Sequence, residues 1–130
     1  MKGEIFMAKY FINITNHYSV NWSKEQQEAA NKYGYIIDHG FPMVPPRASS
    51  KSLDNEATNL VNFIIDKFGN NIVALVQGEM TMTYKIVNEF KRRGITCVAA
   101  TSERTVTEKR QDDGSTKKQT IFKFVGFREY

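Results

Sequence analysis

The chain has 130 residues, 41% hydrophobic and 25% charged, with 18 Lys and Arg against 14 Asp and Glu for a net charge of +4. This is the size of one domain, residues 1–130, with a core of its own, which excludes disulfide scaffolds, collagen-like chains and disordered tails. The mild positive balance permits an anionic ligand but lacks the dense basic stripe of a duplex nucleic-acid binder.

The opening MKGEIFM carries an acid and no long apolar stretch, so it does not read as a signal peptide. Met7 is a candidate second start, and residues 1–8 read as a loose tail. Nowhere does an apolar run approach the ~20 residues of a membrane span, so no membrane partner is expected. Lys9–Thr15 (KYFINIT) is β-rich and ends in the polar cluster Asn16-His17-Tyr18-Ser19, a buried strand and its loop. Ser23-Lys24-Glu25-Gln26 is a capping box, followed by a short helix from Glu25 to Tyr33 closed by Gly34. Tyr35–Asp38 is a second short strand. It leads into His39–Pro46, where three prolines forbid regular structure.

Leu53, Ala57, Leu60, Val61, Ile64 and Phe68 recur at helical spacing, with Gly69 at the C-cap. Asn71–Gln77 is almost purely apolar, as in a strand covered on both faces. It ends in Gly78-Glu79-Met80-Thr81, where Thr81 is the expected cap of a helix from Met82 to Arg93 that Gly94 ends. Ile95–Ala100 is another buried strand, with the lone Cys97 inside it, and Thr101–Arg104 is the expected loop after it. One cysteine makes no internal bridge, which fits a reducing, cytoplasmic setting. Asp112-Asp113-Gly114 between two β-prone runs marks a C-terminal hairpin over 104–127.

Alternating strands and helices imply an α/β domain, a mainly parallel sheet flanked by helices with a β-hairpin appended. In such sheets ligands bind at the carboxyl ends of the strands. That rule selects Asn16, His17, Tyr18, Ser19 and Trp22 after the first strand, and the His39–Arg47 loop, with Arg47, after the second. It also selects Gly78, Glu79, Met80 and Thr81 after the third, and Thr101, Ser102 and Arg104 after the fourth. Gly78–Thr81 at a helix start offers free N–H groups to a phosphate, although the charge of Glu79 opposes one. Glu79 instead suits a ribose hydroxyl or general-base work; a plain capped turn is the alternative. His17 suits a general base or a capping role. Trp22 suits stacking on a base or stapling of the helix behind it. Arg104 suits bidentate phosphate contact or a surface ion pair with Glu103. No cofactor is implied, since no Gly-x-Gly-x-x-Gly or Walker pattern occurs, and His17 with His39 lacks the further ligands of a metal site.

In size, strand–helix order and the polar loops Asn16-His-Tyr-Ser19 and Gly78-Glu-Met-Thr81, the chain resembles the compact Rossmann-like, CARF-like proteins of type III CRISPR systems, several of which are ring nucleases. The resemblance spans Lys9 to Val125. It implies a homodimer that binds cyclic oligoadenylate across its two-fold axis. Cleavage would proceed without a metal, a ribose 2′-OH attacking the adjacent phosphate to leave a 2′,3′-cyclic phosphate. His17, Glu79 and Arg104 would be the catalytic candidates, with Trp22 or Tyr18 under adenine. The alternatives are a non-catalytic nucleotide sensor, a small-molecule nucleotide-processing enzyme, and an interaction protein that pairs strands through its hairpin.

Overall fold

The computed structural model describes residues 8–130; residues 1–7 of the expected tail, Met7 among them, lie outside the described residues. Ala8, assigned to that tail, is instead buried, and its N–H donates to the Tyr33 carbonyl at 2.8 Å. The chain runs β1 (Tyr10–Thr15), a 3₁₀ turn (Ser19–Asn21), α1 (Lys24–Asn31), β2 (Tyr35–Asp38), α2 (Ser50–Phe68), β3 (Ile72–Gln77), α3 (Met80–Arg92), β4 (Thr96–Arg110) and β5 (Thr116–Glu129). One five-stranded sheet has the order β2-β1-β3-β4-β5. The first four strands are parallel, and β5 returns antiparallel along β4. The fold is thus mixed α/β with a mostly parallel sheet and three helices.

The alternation of the strands divides the core. Ile12, Ile14, Ala74, Val76 and Cys97 face α2 and α3, meeting Leu53, Val61, Ile64, Ile86 and Phe90. Phe11, Val73, Leu75 and Val98 face the other way, toward Ala30 of α1, Trp22 and Tyr33. On that second face the sheet curls. Phe127 of β5 reaches Phe11 of β1 with ring centroids 5.0 Å apart, although β3 and β4 lie between the two strands.

Local chemistry explains most element ends. The Ser23 hydroxyl accepts the Gln26 N–H at the start of α1. Ser49 caps α2 by accepting the Ser52 N–H at 3.1 Å, and Gly69, with φ +80°, closes it. The cap of α3 is Glu79, not Thr81: its carboxylate accepts the N–H groups of both Thr81 and Met82. The glutamate reaches forward two and three residues here because the strand–turn junction leaves those donors orphaned.

Two further expectations are corrected. Thr101–Arg104 is not a loop, because β4 runs through it as the base of a hairpin whose strands pair from Val98↔Glu129 to Arg110↔Thr116. A register shift between Thr101 and Ser102 leaves Val125 as a bulge residue on β5. At the tip, Gln111 and Ser115 close a three-residue loop with Gly114 at φ +85°. Gly34 does not end α1 in a left-handed conformation; α1 stops at Asn31. Its lack of a side chain serves a close crossing, since a Cβ there would lie 2.9 Å from the Ala8 and Lys9 carbonyl oxygens. Gly34→Ala is therefore expected to lower stability by about 1–3 kcal/mol, read as a lower thermal midpoint with an unchanged far-ultraviolet spectrum.

Candidate functional site

The sheet order reverses between β1 and β3: from β1 the chain moves out to β2, then returns to the far side of β1. Crevices at the carboxyl ends of strands open at such reversals. Here a cleft of about 560 Å³ lies at that position, on the face that α1 covers only in part. Its floor is Thr15, Leu75, Gln77, Ala100 and Ser102; one side is Asn16, His17, Asn21, Trp22, Ser23 and Gln26; the other is Phe122 and Phe124 of β5. Its size falls within the roughly 300–1,000 Å³ usual for ligand pockets.

The loop after β1 is held by a buried network. Asn13, 1% exposed, donates one amide proton to the His17 carbonyl at 2.9 Å and the other to Asp38 Oδ1 at 2.7 Å. Its own carbonyl oxygen accepts the Thr15 hydroxyl at 2.8 Å, and Thr15 Oγ1 accepts the His17 N–H at 3.2 Å. The Trp22 indole N–H converges on the same His17 carbonyl at 3.1 Å. Asp38 accepts both the N–H and the hydroxyl of Ser19. Partial burial pushes the Asp38 carboxyl up, but the hydrogen bonds from Asn13 and Ser19 outweigh it and hold it below the ordinary aspartate value.

β4 leaves β3 early on the cleft floor. Backbone pairing ends at Leu75↔Val98. The Gln77 amide then spans the widening gap, accepting the Ala100 N–H at 2.9 Å and donating to the Ala100 carbonyl at 3.2 Å. Gly78 completes this edge: a Cβ there would meet the Phe41 ring at 2.5 Å, and its N–H donates to Thr83 Oγ1.

The structure gathers part of the expected site. Asn16, His17, Trp22, Gly78, Thr101 and Ser102 line the cleft. The Thr101 hydroxyl is taken by the Gly126 carbonyl. Ser19 is spent on Asp38, and Tyr18 stands 62% exposed outside the cleft. Arg47 lies in an exposed turn before α2, and Met80 projects into solvent; neither lines the cleft. The Glu79 carboxylate accepts the Thr81 hydroxyl at 2.6 Å as well as the two helix N–H groups, and these bonds hold it below the usual glutamate range. Arg104 stands on the exposed ribbon opposite Phe122. His39 packs toward Phe63 of α2 and does not line the cleft. Cys97 is buried, and burial pushes its thiol up to about 12.

Asn13, Asp38, Gln77, Phe122 and Phe124 were missed. An asparagine in the otherwise apolar FINI run was the one available sequence signal; the others depend on strand register.

A family model described as the Uncharacterized protein MJ1673 family matches residues 9–128. The chain belongs to this family. The match to the MJ1673 family runs from the start of β1 nearly to the end of β5, so it takes in every element of the cleft. No curated protein matches the chain.

The network makes a prediction. Asp38→Ala leaves a buried Asn13 proton without its acceptor and is expected to cost about 1–3 kcal/mol. Because the folded-state carboxyl is held below its unfolded value, Asp38 stabilises fully above that value of ~3.9 and loses its contribution as pH falls through the folded one. The stability gap between the wild type and Asp38→Asn, followed by urea titration, should be largest above about pH 5 and shrink below pH 4.

Proposed function

We propose that the protein is a Rossmann-like, CARF-like nucleotide-binding protein. In a homodimer, its cleft takes a cyclic oligoadenylate and cleaves it as a metal-independent ring nuclease. The observation that carries the reading is the cleft at the β1/β3 reversal, polar, flanked by Trp22 on one side and by Phe122 and Phe124 on the other. Aromatic walls suit the π-face of a base, and the amides and hydroxyls between them suit its edge and its ribose.

His17 is the catalytic residue of this proposal. Its backbone is pinned on both sides, by the N–H bond to Thr15 and by the convergence of the Asn13 amide and the Trp22 indole on its carbonyl, so the imidazole is presented from a rigid loop. A ribose 2′-oxygen forms a bond to the neighbouring phosphorus as its proton passes to the imidazole. The bond from phosphorus to the 5′-oxygen breaks, and the leaving oxygen takes a proton from solvent water. The protein's main contribution is in-line alignment of these atoms. Glu79, committed to the α3 N-terminus, organises the turn instead of taking the proton.

A second reading, a sensor that leaves the ring intact, is favoured by one feature: His17 is the single titratable side chain on the cleft wall among the described residues. Incubation with cyclic tri-, tetra- and hexa-adenylate in EDTA, followed by chromatography, separates the two. The expected products are linear fragments ending in 2′,3′-cyclic phosphate, and His17→Ala should slow their appearance about 100-fold or more while binding persists. Intact rings with a raised melting temperature would replace the nuclease by the sensor. The absence of both cleavage and a melting shift would remove the nucleotide reading.

A further inference from the structure

We infer that the cleft is a nucleoside pocket and not a phosphate cradle: it holds the uncharged base and sugar of its ligand, while the phosphate lies outside, toward Arg104 on the β4–β5 ribbon. The inference rests on the nucleotide reading and deepens it.

Three features support it. No Lys, Arg, Asp or Glu lines the cleft among the described residues. A buried phosphate would have no fixed countercharge there, whereas an uncharged heteroaromatic ring needs none. Next, three of the amides at the strand–Gly–helix turn, where a phosphate usually sits, are already occupied. Thr81 and Met82 donate to Glu79, and Gly78 donates to Thr83 Oγ1. An anion at α3 would have to displace a carboxylate. Finally, the cleft offers unused reading groups. The Gln27 and Gln77 amides are consumed by backbone atoms, but Asn16 and Gln26 line the cleft with side-chain amides that make no hydrogen bond among the described residues. Each carries a donor pair and an acceptor, the complement of a base edge.

The aromatic walls are built in advance. The Trp22 ring is oriented by its indole bond to His17 and packs edge-on toward Phe11. Phe124 is set by an edge contact with Phe127, ring centroids 5.1 Å apart. Phe122, 67% exposed at the cleft mouth, contributes nothing to the core. Arg104 pairs across the ribbon with Phe122 and lies two residues beyond Ser102 on the same strand face. It is the cation that continues the cleft wall outward.

Trp22 is the only tryptophan in the chain, so its fluorescence reports occupation of the cleft. The test titrates adenosine and, separately, cyclic tetra-adenylate at about 50 and 500 mM NaCl. Adenosine should quench Trp22 with an affinity that salt leaves unchanged, while ring binding weakens as salt rises. Phe122→Ala, at an exposed position that does not risk the fold, should weaken both roughly 5- to 150-fold. Arg104→Ala should spare adenosine and reduce the salt slope of ring binding by about one. Ring binding that survives Phe122→Ala, with no quenching by adenosine, overturns the pocket and leaves the nucleotide reading standing. Competition of inorganic phosphate with adenosine also overturns it. Adenosine binding without ring binding upholds the pocket and removes the cyclic ligand; binding of neither overturns both.

Discussion

Asn13 sits in β1, between β2 and β3, and every hydrogen-bonding group of its buried side chain is used. An amide in that position is costly unless fully paired. Its partners lie at the carboxyl ends of the strands and in the loop beyond: the His17 carbonyl, the Thr15 hydroxyl and the Asp38 carboxylate. Through them one side chain ties together the end of β1, the loop beyond it and the end of β2. The His17 carbonyl in turn orients Trp22, and Asp38 holds Ser19. Among the described residues no buried side-chain nitrogen or oxygen lacks a partner, so the network is complete as built.

The cleft itself follows from unequal cover on the two sheet faces. α2 and α3, of 19 and 13 residues, cover one face with a continuous apolar layer. α1 has eight residues and buries only Ala30. The second face is closed partly by the sheet, which curls until Phe127 meets Phe11 and Tyr33. At the carboxyl ends the curl and the short helix fail to meet. β4 parts from β3 there, and Gln77 bridges the opening where backbone pairing stops. A binding site on rigid strand ends, lined by groups whose positions are set from behind, is already organised before a ligand arrives.

The chemistry of the opening narrows what it suits. Charge has been kept off its wall, and the one acidic group near the β3–α3 turn is neutralised in function by the helix it caps. The proposed nucleotide ligand is accordingly read by shape, stacking and amide contacts, with ionic contacts left to the ribbon. The ribbon is the least conventional element. A two-stranded hairpin exposed along most of its length, with Val106, Ile121 and Phe122 in solvent, draws little stability from the body. Its base forms a cleft wall, so the ribbon and the site are mechanically one piece.

Periodicity and local chemistry were enough for the element order, for both apolar helices and strands, for the Ser23 and Gly69 caps and for the Asp112-Asp113-Gly114 turn, because each depends on residues within a few positions of one another. The carboxyl-end rule likewise placed Asn16, His17, Trp22, Gly78, Thr101 and Ser102 at a common rim. What lay beyond sequence was any feature set by register between distant strands. The passage of β4 through Thr101–Arg104 depends on pairing with β5, which overrides four polar residues that read as a loop. Glu79 displaced Thr81 as the cap because the turn geometry aimed its carboxylate at the helix. Phe122 and Phe124 became a wall facing Trp22 only through the curl of the sheet. Asn13 and Asp38, 25 residues apart, met only because β1 and β2 align side by side. Local pattern determined the pieces; long-range strand pairing decided which polar groups face one another, and therefore where a ligand can be held.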